Sequence, residues 1–145
     1  MLVYRNSGNG AYINRIQPGT GRVIGETIEL VTDGDAVILS DRWAVIELPP
    51  GEYALAWRWG RVVPEMGIYE RFTYFERAPV FRIEAGQVTA MHHAERLYDR
   101  AAGDPTDPIV VEWVEEALEN YPEITAPVVR VETRGFVRLI DHPGW

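Results

Sequence analysis

Turn signals divide residues 1–93 into short segments in which apolar and polar residues alternate, and this spacing restricts the possible folds more than any other feature. Clusters of glycine, proline, asparagine and aspartate recur about every 8–12 residues, a spacing typical of a sandwich or barrel. After the Pro-Pro-Gly turn at 49–51, Tyr53, Leu55 and Trp57 are separated by single alanines. Such alternation places successive side chains on opposite faces of a strand. The sequence therefore predicts a mainly β protein with an Ig-like antiparallel β-sandwich.

Residues 94–145 follow a different pattern, and a helix is its clearest element. Asp107 and Pro108 form a helix start, because aspartate caps free N–H groups and proline fits the first helical position. Apolar residues then recur at helical spacing, and glutamates occupy the other side. Asn120 and Pro122 end the pattern. The sequence predicts a C-terminal α-helix from 108 to about 120.

Two apolar segments follow this helix, Val128–Glu132 and Phe136–Ile140, and an Arg-Gly turn separates them. This arrangement predicts a β-hairpin. A chain of 145 residues is long enough for one hydrophobic core and too short for two full domains. We therefore expect a single domain over 1–145, made of a sandwich (1–93) and an extension with the helix and hairpin (94–145).

Residues 60–79 form the longest break in the regular strand spacing, and they are rich in aromatic side chains. A long insertion of this kind is either an extra strand pair or an exposed functional loop. We expect an extra strand over 70–76 and a loop over 62–67, and the sequence leaves open which part is exposed. A short helix is also expected over 94–102.

Composition narrows the possible chemistry. The chain has no cysteine, and its 14 basic residues are all arginine, which excludes disulfides, thiol catalysis and lysine Schiff bases. No catalytic or phosphate-binding motif is present, and His92 and His93 are spaced unlike the ligands of known metal motifs. A net charge of −8 opposes binding to nucleic acid. We expect a protein that is not an enzyme and has no catalytic residue, no metal, no cofactor and no nucleic-acid partner.

The sequence also bears on location. Its N-terminus shows no signal peptide, and no apolar run approaches the roughly 20 residues needed to span a bilayer. As written, the chain is expected in the cytoplasm without a membrane span. The periplasm or cell envelope is the alternative if a leader has been removed, so the native compartment stays open.

Two segments carry a resemblance to a known family. Residues 42–55 read RWAVIELPPGEYAL, and residues 81–88 read FRIEAGQV. Together with Val3-Tyr4-Arg5 they resemble uncharacterised bacterial PEGA-like or lipoprotein-accessory sandwich domains, over residues 2–93. The resemblance implies a β-sandwich and a structural motif rather than a catalytic one. The chain differs from that family in lacking a lipobox cysteine, in its 60–79 insertion and in its C-terminal extension.

Two groups of residues are candidates for binding. Aromatic side chains around the insertion could form a surface for a sugar or a protein: Trp57, Trp59, Tyr69, Phe72 and Tyr74. The acidic side of the C-terminal helix could dock a basic partner: Glu112, Glu115, Glu116 and Glu119. Core packing of the aromatics and simple solvation of the glutamates are the plainer explanations.

The sequence therefore predicts a noncatalytic protein-interaction or structural subunit module, which binds another protein or assembles with itself. The alternative is a carbohydrate-binding module that uses exposed aromatics of 57–75. A hydrolase built on the carboxylates Glu65, Glu70 and Glu76 or on the histidines is the least favoured hypothesis.

Overall fold

The structure, a computed structural model, describes the following residues: 1–5, 11–30, 36–39, 43–59, 71–73, 76–92 and 108–141. Within them lie eleven strands and one helix. The strands are β1 (Leu2–Arg5), β2 (Ala11–Ile16), β3 (Val23–Leu30), β4 (Val37–Ile38), β5 (Trp43–Ile46), β6 (Gly51–Trp59), β7 (Arg71–Thr73), β8 (Ala78–Ile83), β9 (Val88–Met91), β10 (Val128–Arg130) and β11 (Phe136–Val137). The helix is α1 (Pro108–Leu118), and it lies between β9 and β10.

The strands form two sheets. The five-stranded sheet has the order β10-β9-β1-β5-β4. The six-stranded sheet has the order β11-β8-β6-β2-β3, with β7 also paired to β6. Buried side chains of both sheets belong to one apolar cluster, so the prediction of a mainly β sandwich with a C-terminal helix is confirmed.

Most strand pairs are antiparallel as predicted, but β9 pairs in parallel with both β1 and β10. Parallel neighbours need a connection that returns the chain to the starting end of the sheet, and a helix commonly provides it. Here α1 lies in the connection from β9 to β10. The unit β9-α1-β10 therefore explains the parallel pairing of β9 with β10 and the position of the helix on the five-stranded sheet.

The predicted C-terminal hairpin is wrong, although both of its strands exist. β10 joins β9 in the five-stranded sheet, whereas β11 joins β8 in the six-stranded sheet. Between them the Val131 N–H donates to the Ala90 oxygen (3.0 Å), and the Arg134 N–H donates to the Val80 oxygen (2.7 Å). Residues 127–141, the strap, thus cross from one sheet to the other because the outer sides of β9 and β8 both offer unpaired backbone groups.

The end of the strap passes against a glycine. The Ile140 N–H donates to the Gly21 oxygen (2.8 Å), and the Val23 N–H donates to the Ile140 oxygen (3.0 Å). A Cβ atom at Gly21 would collide with the backbone oxygen of Arg138. Only glycine therefore allows the two backbones to approach this closely.

The insertion at 60–79 contributes a strand where one was expected. β7 pairs with β6 through Trp57↔Thr73, Arg58↔Phe72 and Trp59↔Arg71. The expected loop at 62–67 and the expected helix at 94–102 lie outside the described residues.

The five-stranded sheet is covered on both faces. On one face, Leu2 and Tyr4 pack into the inter-sheet core, the apolar cluster shared by the two sheets. On the other face, Val3 packs into the helix-side core, the cluster between this sheet and α1. The helix-side core contains Val3, Leu39, Trp43, Val45, Val88, Ala90, Val110, Val114 and Leu118. The protein thus has three layers, with the five-stranded sheet in the middle.

Candidate functional site

A groove of about 490 Å³ lies beside α1, where the helix-side core meets the surface. We call it the helix groove. It is lined by Arg5, Leu39, Trp43, Trp113, Glu116, Ala117, Glu119 and Asn120. The helix supplies one wall, and the end of β1, Leu39 and the start of β5 supply the other.

The spacing of residues in α1 explains how the helix can serve the core and the groove together. Val110, Val114 and Leu118 recur every four residues, and all three are buried. Three groove residues lie along a neighbouring side of the helix because they are three and four residues apart: Trp113, Glu116 and Ala117. Asn120 continues this side in the turn after the helix. Burial of the valine and leucine side chains therefore orients the helix so that its neighbouring side lines the groove.

A buried histidine outside the groove lining contacts three of the lining residues, Arg5, Trp43 and Trp113. His92, which follows β9, is only 6% exposed. Its Nε2 atom lies 2.6 Å from Nη1 of Arg5. A guanidinium group can only donate hydrogen bonds, so Nε2 is the acceptor and this imidazole is neutral with its proton on Nδ1. Arg5 and His92 are thereby fixed to each other across the ends of two neighbouring strands.

Two indoles flank this histidine. The ring centroid of His92 lies 6.0 Å from that of Trp43 and 5.6 Å from that of Trp113. Trp43 is 7% exposed, whereas Trp113 is 39% exposed. The three rings form a continuous aromatic wall whose outer member, Trp113, offers a surface to a flat or cationic group.

The four candidate glutamates divide into two pairs. All four are exposed, but Glu116 and Glu119 line the helix groove whereas Glu112 and Glu115 lie away from it. Among the described residues, none of the four forms an ion pair. The helix also has no basic residue in its last turn. The groove thus carries two carboxylates that form no ion pair with the described part of the chain.

The candidate aromatic residues around the insertion do not form a described site. Trp57 and Trp59 lie in β6, and Phe72 in β7 is paired with the position between them. The side chains of these three residues, and the whole of Tyr69 and Tyr74, lie outside the described structure. Their role in binding stays a prediction.

Sequence reasoning missed several groove residues. Trp113 belongs to the apolar residues at helical spacing, so it was counted with the core, although its side chain is 39% exposed. Arg5 was given no binding role, and Asn120 was expected only to end the helix. A possible signal was the spacing of Trp113 and Glu116, which places an aromatic ring beside a carboxylate. No local signal could link Arg5 to His92, because they are 87 positions apart.

Two other cavities are less informative. One of about 540 Å³ lies at the opposite end of the molecule and is lined mainly by turn residues such as Pro49, Pro50 and Gly86. Another of about 160 Å³ lies beside the strap and mixes arginines with glutamates. The first is slightly larger than the helix groove, but it lacks an aromatic wall, so volume alone does not identify the site.

Comparison with family models, with curated proteins and with solved structures found no match to the chain. The resemblance to PEGA-like domains therefore stays a prediction. In the described residues, no group of three or more histidine, aspartate or glutamate side chains could hold a metal ion. The helix of that same part of the chain is too short to cross a membrane.

Proposed function

We propose that the protein is a noncatalytic protein-interaction module that docks a basic segment of a partner protein in the helix groove. One observation supports this proposal above the others. The exposed indole of Trp113 lines the same groove as two carboxylates, Glu116 and Glu119, that form no ion pair within the described residues. An aromatic surface in one groove with such carboxylates is complementary to a cationic side chain.

The placement of these charges on the helix supports a partner rather than a purely structural role. Negative charges near a helix C-terminus oppose the helix dipole, and glutamates three or four residues apart repel one another. Each effect costs a few tenths of a kcal/mol. A basic segment bound at Glu116 and Glu119 would offset both costs. The net charge of −8 would also speed the approach of such a partner.

The surface around the groove suits a peptide segment. Val37 and Ile38 of β4 are each 51% exposed, and they immediately precede Leu39 in the groove wall. The Tyr121 hydroxyl donates to the Ile38 oxygen (2.7 Å), which occupies an outward backbone group of this outermost strand. A partner would therefore contact side chains here rather than extend the sheet. Trp113 is the natural anchor, because tryptophan is enriched among the residues that dominate binding energy.

The chemistry of the groove favours binding over catalysis. His92 is the residue that could act as a general base, but its Nε2 already accepts a hydrogen bond from Arg5. Arg5 itself stays protonated at all accessible pH values and cannot take up a proton. Glu116 and Glu119 are exposed at the end of the helix, where they can form ion pairs with a basic partner.

The test compares two double variants of equal charge. Glu116→Gln/Glu119→Gln removes the groove carboxylates, and Glu112→Gln/Glu115→Gln removes the same charge from the same helix elsewhere. Fluorescently labelled basic peptides are titrated, and anisotropy measures their binding. We expect the groove variant to weaken binding by about fivefold to tenfold, since two exposed ion pairs are lost. The control variant should change binding by less than about twofold.

Two results would contradict the proposal. Equal losses in the two variants would show general attraction to an acidic protein instead of docking in the groove. Absence of binding by any basic peptide would remove the proposed partner class. Binding of a neutral oligosaccharide that is unaffected by either variant would instead support the carbohydrate-binding alternative on 57–75, and self-association in size-exclusion chromatography would support a structural subunit.

A further inference from the structure

We infer that the helix groove selects an arginine side chain of the partner over a lysine side chain. This inference rests on the proposed function and adds the identity of the group that is recognised. Three features of the groove support it: the aromatic wall, the spacing of the two carboxylates and the position of Arg5.

The aromatic wall favours a planar cation. Trp113 is 39% exposed, and its ring centroid lies 5.6 Å from that of buried His92, which in turn lies 6.0 Å from that of buried Trp43. A guanidinium group is flat and weakly hydrated, so it stacks on an indole with little loss of solvation. A lysine ammonium is compact and strongly hydrated, and it cannot stack.

The two carboxylates favour a forked donor. Glu116 lies in the last turn of α1, and Glu119 directly follows its end, where the Glu119 N–H donates to the Glu116 oxygen (3.3 Å). This turn keeps the two residues close together in the backbone, and both line the groove. Five N–H groups in a rigid plane allow a guanidinium to reach two acceptors while one face stays on a ring. A lysine ammonium has the same charge but is not planar. It therefore cannot lie flat on the ring and donate to both carboxylates as well as a guanidinium does.

Arg5 determines where the guest lies. One wall of the groove already holds a guanidinium, that of half-buried Arg5, whose Nη1 is bonded to His92. This charge repels a second cation from the Arg5 side of the groove, and the carboxylates attract it to the helix side. One arginine and two glutamates leave a net charge of −1 among the ionised groove residues. The guest is therefore a single cation, and its place is between Trp113 and the glutamates.

The experiment uses three small probes that differ at one group: the N-acetyl amides of arginine, lysine and citrulline. Citrulline keeps the planar shape of arginine but has no charge. Indole N–H signals of the intact protein are followed by NMR, and the Trp113 signal is assigned from its loss in Trp113→Leu. We expect arginine amide to shift the Trp113 signal at a concentration about threefold to tenfold lower than lysine amide. Citrulline amide should cause almost no shift.

Variants complete the test. Trp113→Leu should remove the preference for arginine, measured on the remaining indole and Asn120 side-chain signals. Glu116→Gln/Glu119→Gln should weaken both cationic probes, and Glu112→Gln/Glu115→Gln should weaken neither by more than about twofold. A preserved circular dichroism spectrum shows that each variant is folded.

The outcomes separate the inference from the proposed function. Equal binding of arginine and lysine amides would overturn the inference and leave a basic partner in place. Preference for arginine that survives Trp113→Leu would also overturn it, because the ring would not be the cause. A shift by citrulline amide equal to that by arginine amide would show that charge is irrelevant. Failure of all three probes and of the basic peptides would overturn the proposed function itself.

Discussion

The two faces of the five-stranded sheet support very different structures. The inter-sheet core contains 19 buried residues of the described chain, and nearly all of them are aliphatic or aromatic. The helix-side core contains nine in the same described part, and it leads into a groove lined by exposed carboxylates and by Arg5, which is bonded to His92. The comparison shows that the two faces of one sheet contribute differently to the protein. One face provides most of the apolar burial, and the other leads to the groove for which we propose a binding role.

The largest expected effect tests this division with one truncation in each core. Phe81 is fully buried in the inter-sheet core and stacks on Tyr53 at a centroid distance of 6.0 Å. Phe81→Ala should lower the free energy of unfolding by about 3–5 kcal/mol in urea denaturation. Val114→Ala, in the helix-side core, removes less apolar volume and should cost about 1–2 kcal/mol. Equal losses would show that the two cores contribute alike.

The second prediction concerns alkaline pH and the same inter-sheet core. Burial raises the pKa of Tyr4 from 10.0 to about 12, and burial also raises the pKa of Tyr53, whose hydroxyl donates to the Pro49 oxygen (2.7 Å). Between these pH values the unfolded chain has lost the Tyr4 proton while the folded chain keeps it. Stability is therefore complete below pH 10 and falls as the pH rises toward about 12.

We expect Tyr4 to account for about 1–2 kcal/mol of this loss. Urea denaturation at several pH values measures it, with tyrosinate absorbance as the titration signal. Tyr4→Phe should remove that part of the pH dependence, and an unchanged profile in this variant would assign the alkaline loss to other groups.

The smallest effect distinguishes binding from stability on the helix side. Glu119 follows the last residue of α1, where its charge opposes the helix dipole and repels Glu115 and Glu116. Glu119→Gln should raise the free energy of unfolding by about 0.3–0.5 kcal/mol, although the same substitution contributes to the loss of peptide binding. Differential scanning calorimetry at low salt is the measurement. A clear loss of stability would instead give Glu119 a structural partner.

Local chemistry determined how much of the fold could be predicted. The turn at 49–51 and the helix start at Pro108 depend on proline and glycine, whose backbone limits act within a few residues. The parallel pairing of β9 with β1 joins Leu2 to Thr89, and the strap divides its two strands between sheets. Burial across the whole chain decides which strands pair, so local sequence could not predict these pairings. A hairpin was predicted instead because β10 and β11 are adjacent in sequence.

The candidate site was predictable to a similar extent. Glu116 and Glu119 stand out in sequence because they belong to an acidic helix side. Sequence could not distinguish them from Glu112 and Glu115, because the distinction depends on where β1 and β5 pack against the helix. The aromatic wall was hidden for the same reason, since it brings together rings from β5, α1 and the end of β9.

The route of the strap has a consequence for synthesis on the ribosome. When residues up to 92 have emerged, the central strands of both sheets are present, but β8 and β9 still lack the neighbours that β11 and β10 supply. A nascent chain would then expose two edge strands, whose unpaired backbone groups could pair with other nascent chains. The strap covers both edge strands, because it supplies β10 to one sheet and β11 to the other. Translation that pauses or terminates shortly before the strap should therefore favour aggregation.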